Sequence, residues 1–75
     1  MRPKTRKVRR LRQLRRDAEM SQRSLAKQVG LQASAICLIE NGEQMPSLSQ
    51  AEKLAEFFGL PIEEVFALVE VPKHV

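Results

Sequence analysis

Residues 21–42, SQRSLAKQVGLQASAICLIENG, carry two short apolar stripes separated by a glycine, and their reading decides the fold. Ser21 is a good helix cap, because its hydroxyl accepts a bond from one of the first unpaired amides. Behind it Leu25, Ala26 and Val29 recur at helical spacing, and the stripe stops at Gly30. A glycine there supplies the positive φ that a sharp turn between two helices commonly needs. Another helix begins almost at once at Gln32, with Ala35, Ile36 and Ile39 on its apolar side and Asn41-Gly42 as its stop. Helix, glycine-containing turn, helix is the outline of a DNA-binding supersecondary unit.

Upstream, Val8, Leu11, Leu14 and Ala18 fall on one stripe at about 100° per residue, which predicts a first helix over residues 7–18 with Arg15 inside the stripe. Residues 1–6, MRPKTR, hold Pro3 and no apolar periodicity and read as a flexible basic arm. Downstream, residues 43–46 form a loop, and Ser47 caps a fourth helix in which Leu48, Ala51, Leu54, Ala55 and Phe58 repeat until Gly59. Pro61 opens a last short helix, with Glu63 and Glu64 near the positive end of its dipole and Val65, Phe66 and Leu68 facing in. Val69, Val71 and Val75 alternate loosely around Pro72, which permits either a short strand or a loose tail. The expected architecture is all-α: a compact five-helix domain over residues 7–68, between a basic arm (1–6) and a C-terminal tail (69–75).

Composition narrows the function. A chain of 75 residues is expected to hold one domain with a modest core and no second, ligand-sensing domain. With three Phe and neither Trp nor Tyr, that core is built from aliphatic residues and Phe. A lone cysteine, Cys37, cannot form an internal disulfide, and no apolar run is long enough for a signal sequence or a membrane span, so a cytoplasmic protein is expected. The sequence has no Cys/His cluster at metal-ligand spacing and no glycine-rich phosphate loop, and its one histidine, His74, sits in the tail. Neither a metal, a cofactor nor an enzymatic activity is expected. Cys37 as a nucleophile or redox sensor would need a neighbouring histidine or metal cluster, so it reads as a plain small side chain on the third helix.

The net charge of +4 hides a gradient. Residues 1–27 hold eleven Lys or Arg against two acids, and residues 28–75 hold two against seven. Such a cationic end attracts polyanions through counterion release. The first sixteen residues lack the serine-rich character of an organelle presequence and the bulky apolar face of a membrane-surface helix, which leaves nucleic acid as the favoured partner.

The ordered set SQRSLA, Gly30, IENG and PSL closely resembles the Cro/C1-type (Xre-like) helix-turn-helix of phage repressors and bacterial regulators. The resemblance extends from LRQLR to PIEEVF, residues 11–66. It implies a lambda-repressor-like fold that binds double-stranded DNA. Arg15 lies on a buried stripe, where a guanidinium needs a carboxylate. The family has an ion pair at the positions of Arg15 and Glu40, so a structural bridge is expected between them, the alternative being that both reach solvent. Gln32, Ala33, Ser34 and Leu38 fall at the family's base-contact positions, and Gln22 and Asn41 at positions that contact the DNA backbone. Gln32 can offer donor and acceptor to adenine, Ser34 can serve either sign, and Ala33 or Leu38 can only pack on a thymine methyl. Ser21 beside Gln22, and Arg2, Lys4 and Arg6 in the arm, complete the backbone candidates. Ser21 reads more readily as a cap than as a contact, while Gln32 serves either as cap or as reader.

The family often has Arg, Lys, Gln or Asn where this chain has Ala33 and Leu38, and basic residues where it has Glu43 and Gln44, so direct readout is thin and the basic arm and backbone contacts carry more of the affinity. Glu19 replaces a glycine that many relatives have before the second helix. A lone module contacts little DNA, so a homodimer on a palindromic operator is expected, with Phe57, Leu60 and Ile62 as interface candidates. Two other functions compete with such a repressor or controller: an antitoxin-like module whose apolar helix face or tail grips a second protein, and a sequence-blind basic binder of DNA or RNA.

Overall fold

The structure, a computed structural model, describes residues 5–72. Five helices, α1 (Arg10–Asp17), α2 (Gln22–Val29), α3 (Ala33–Glu40), α4 (Leu48–Phe58) and α5 (Ile62–Val65), are flanked by two strands, β1 (Thr5–Arg9) and β2 (Leu68–Pro72). The strands pair antiparallel, with Val8 opposite Val69 and Arg6 opposite Val71. The domain is therefore helical with a two-stranded ribbon, and the all-α expectation is corrected. Thr5 and Arg6 belong to a strand, not to a flexible arm, and the first helix starts at Arg10, not at residue 7. Val8 explains the difference. It is fully buried and lies three residues before Leu11, so one buried position satisfies a helical stripe and a strand entering a helix equally well. Pairing with the valine-rich end of the chain selects the strand, and the Arg10 amide seals the junction by donating to the Ala67 carbonyl at 2.8 Å.

Local chemistry sets the helix ends. Ser21 Oγ accepts from the Ser24 amide to start α2, and Gly30, at φ 72°, closes it while the Leu31 amide bonds back to the Ala26 carbonyl. Gln32 is the cap of α3 and not its first residue, and its side chain makes no capping bond. At the start of α4, Ser47 and Gln50 exchange side-chain to backbone bonds in a capping box.

The core gathers Leu11 from α1, Leu25, Ala26 and Val29 from α2, Ile36 and Ile39 from α3, Leu54 and Ala55 from α4 and Val65 from α5. Three residues expected to face inward do not. Ala18 is exposed at the end of α1, Leu48 is exposed in the first turn of α4, and Leu68 lies in β2 with about half its surface open to solvent. Leu68 sits opposite Arg9, two pairs from Glu70 opposite Lys7, on the ribbon face turned away from the Val8 side.

Candidate nucleic-acid interface

The α2-turn-α3 unit presents its polar and apolar groups according to helical phase. Ile36 and Ile39 sink into the core, so Ser34 and Leu38, one turn apart, form the exposed line of α3. Gln32 precedes that line, exposed and with its carboxamide free of any cap bond. Ala33 is only half-exposed and packs partly against the core, which limits it to the edge of this face. Cys37 is half-buried, and its Sγ accepts a long bond from Asn41 Nδ2 at 3.6 Å. Asn41 caps the C-terminal end of α3.

Among the described residues a single charged residue is buried. Glu40 is fully buried and takes a forked bond from Arg15, Nε to Oε2 at 2.6 Å and Nη2 to Oε1 at 3.1 Å. Gln22 Nε2 donates to the same Oε1 at 3.1 Å, and Arg15 Nη1 donates to the Met20 carbonyl at 2.7 Å. The carboxylate thus joins α1 and the first residue of α2 to the end of α3, and Arg15 ties in the turn before α2. The link to Gln22 leaves no sign in residue spacing, since nothing there aims a surface glutamine at Glu40. It holds the carboxamide at the N-terminal end of α2, where free amides and the helix dipole favour an anion. Ser21 at the same end already caps Ser24.

Of the basic candidates, Arg6 is exposed on β1, and Arg2 and Lys4 lie outside the described residues. Arg9 was not singled out by sequence, yet its Nη1 donates to the Phe66 carbonyl at 2.8 Å and its Nη2 approaches the Met45 sulfur at 3.7 Å, tying β1 to the end of α5. The three interface candidates lie around α4 and α5. Phe57 is exposed and stacks edge-on against Phe58 with ring centres 5.0 Å apart, while Leu60 and Ile62 are half-buried against the core.

Among the described residues no group of three or more His, Cys, Asp or Glu could hold a metal ion, and no helix is long and apolar enough to cross a membrane.

Residues 8–68 match the family model described as a helix-turn-helix domain. Similar proteins include an HTH-type transcriptional regulator of Methanocaldococcus jannaschii, 45% identical over 47 residues that cover 63% of this chain and 71% of that protein. Another, from Archaeoglobus fulgidus, is 38% identical over 61 residues, 81% of this chain and 86% of that protein. The cryptic phage CTXphi transcriptional repressor RstR of Vibrio cholerae is 36% identical over 55 residues, 73% of this chain and 50% of that protein. With its Gly30 turn, its outward line on α3 and a family match over most of its length, the chain belongs to the Cro/C1-type (Xre-like) helix-turn-helix family of DNA-binding transcriptional regulators.

Proposed function

We propose that the chain is a repressor that acts in the cytoplasm as a homodimer on a palindromic operator, with α3 of each copy in a major groove and the two half-sites about 34 Å apart. The observation that carries this reading is the exposed line of α3, led by a carboxamide that no cap bond occupies. Gln32 and Ser34 supply its polar contacts to base edges, Leu38 and the edge of Ala33 its contact to a thymine methyl. Gln22, braced by Glu40, Ser21 and Asn41 sit on phosphates beside the groove, and the basic β1 residue Arg6, with Arg2 and Lys4 before it, adds charge along the backbone. The relative named as a phage repressor favours repression over activation. Phe57, Leu60 and Ile62 form the contact between copies. Selection from a random duplex pool, followed by light scattering with and without the selected site, tests all of this. A palindrome and a dimer on DNA are expected, and a monomer that selects no sequence would overturn the reading.

A second reading has its own support. Met45, Leu48 and Leu68 are apolar and well exposed, a pattern that suits a protein partner. Under this antitoxin-like reading the chain is recovered from its host in a stoichiometric complex with another protein.

A further inference from the structure

A cleft of about 600 Å³ opens between α1 and the end of β2, lined by Arg12, Gln13, Arg16 and Asp17 from the helix and Val71 and Pro72 from the strand. Arg12 and Arg16 are one turn apart on α1, and both residues line the same cleft. Among the described residues neither makes an ion pair. The Arg12 guanidinium is held below its ordinary pKa, first by the desolvation that comes with burial and then by repulsion from Arg16, Arg6 and Arg15, with Glu40 alone acting in the opposite sense. The hydrogen bonds of Glu40 go to Arg15 and Gln22, and neither Arg12 nor Arg16 bonds to it. Among the described residues Asp17 is the one carboxylate lining the cleft.

Position gives this surplus charge a meaning. Arg15, which lies between Arg12 and Arg16 on α1, forks onto the same Glu40 that braces Gln22 at the start of α2, so the helix that lines the cleft is tied to the N-terminal end of α2. We propose that Arg12 and Arg16 form a second contact to the sugar-phosphate backbone of duplex DNA, outside the helix-turn-helix, with Gln13 as a neutral donor and Arg6 as an outlying charge. Guanidinium groups fork onto phosphate oxygens in two-bond geometry, and an open cleft walled by an apolar strand end lets a backbone pass while removing water from one side. This assignment rests on the DNA-binding reading above and moves part of the grip from the N-terminal arm to α1.

The test is a salt titration of binding to a mixed-sequence duplex two helical turns long, followed by fluorescence anisotropy. The Arg12→Gln, Arg16→Gln double variant is expected to bind more weakly and to show a slope of log affinity against log salt shallower by about 1.8, at about 0.9 per lost phosphate contact. Lysine at both positions restores the slope. If the double variant melts below the assay temperature, Arg16→Gln alone, at an exposed position, still gives a slope shallower by about 0.9. An unchanged slope in a folded glutamine variant overturns the second contact while leaving the function intact. A wild-type chain that binds no duplex overturns both. Loss of binding to phosphatidylglycerol vesicles with an unchanged duplex slope overturns the DNA assignment in favour of a lipid surface.

Discussion

Arg15 on α1 and Glu40 at the end of α3 meet in a two-bond fork inside the domain, with the carboxylate fully buried and the guanidinium almost so. Removing one partner of such a pair leaves the other charged, desolvated and unmatched, which costs about 3–5 kcal/mol. Glu40→Ala is therefore expected to remove much of the stability of so small a domain. At about 4–8 °C per kcal/mol, its melting temperature should fall by more than about 10 °C. Circular dichroism melts of the two proteins decide the matter, and equal midpoints would show that the pair holds nothing together.

Glu19 is the one described residue other than glycine with a positive φ, 57°. It ends α1 as a left-handed cap, its amide donating to the Arg16 carbonyl while the Met20 amide reaches the Arg15 carbonyl at 3.1 Å. Side chains in this region clash with their own backbone by about 1–2 kcal/mol, and glycine returns part of that gain as extra freedom of the unfolded chain. Glu19→Gly should stabilise the fold by about 0.5–1 kcal/mol. Gly30→Ala, at φ 72° with open space where its Cβ would go, should do the reverse through the backbone alone. Urea denaturation of both variants checks the opposite signs.

The ribbon predicts a cost at Val8. Its side chain has no exposed surface, so Val8→Ala opens a buried void and should lose about 1–3 kcal/mol. Leu68→Ala, on the outer face of the same ribbon, should change stability by less than about 0.5 kcal/mol. A chain in which residues 5–9 stayed an unpaired arm would show no loss for either, and chemical denaturation separates the two cases.

These contrasts explain what was readable from the chain. Ser21, Gly30, Ser47 and Gly59 mark helix ends because capping involves residues within a turn of one another. The exposure of Ser34 and Leu38 follows from the phase of α3 once Ile36 and Ile39 are buried. The pairing of β1 with β2 joins the two ends of the domain, and no local period records it, although the alternating valines near Pro72 permit a strand. Leu48 and Leu68 keep helical spacing yet face solvent, because periodicity marks a face without saying whether anything covers it. The clustering of Arg12 and Arg16 beside Val71 likewise depends on that distant strand.

Residues of the proposed interface should divide by what they do to sequence preference. Leu38 is partly exposed on the outward line of α3 and has only apolar contact to offer, so Leu38→Ala should relax selectivity at one position of the selected site. Gln32→Ala removes a carboxamide that can bond adenine twice and should cost about 1–3 kcal/mol against the preferred base alone. Arg6→Gln, by contrast, takes one exposed charge from β1 and should weaken every sequence alike while reducing the salt slope by about 0.9. Competition titrations of each variant against the selected duplex and single-base substitutions of it measure both quantities. Should Gln32→Ala weaken all sequences equally, the carboxamide would be a positioning group on phosphate, and the reading of α3 would reduce to Ser34 and Leu38.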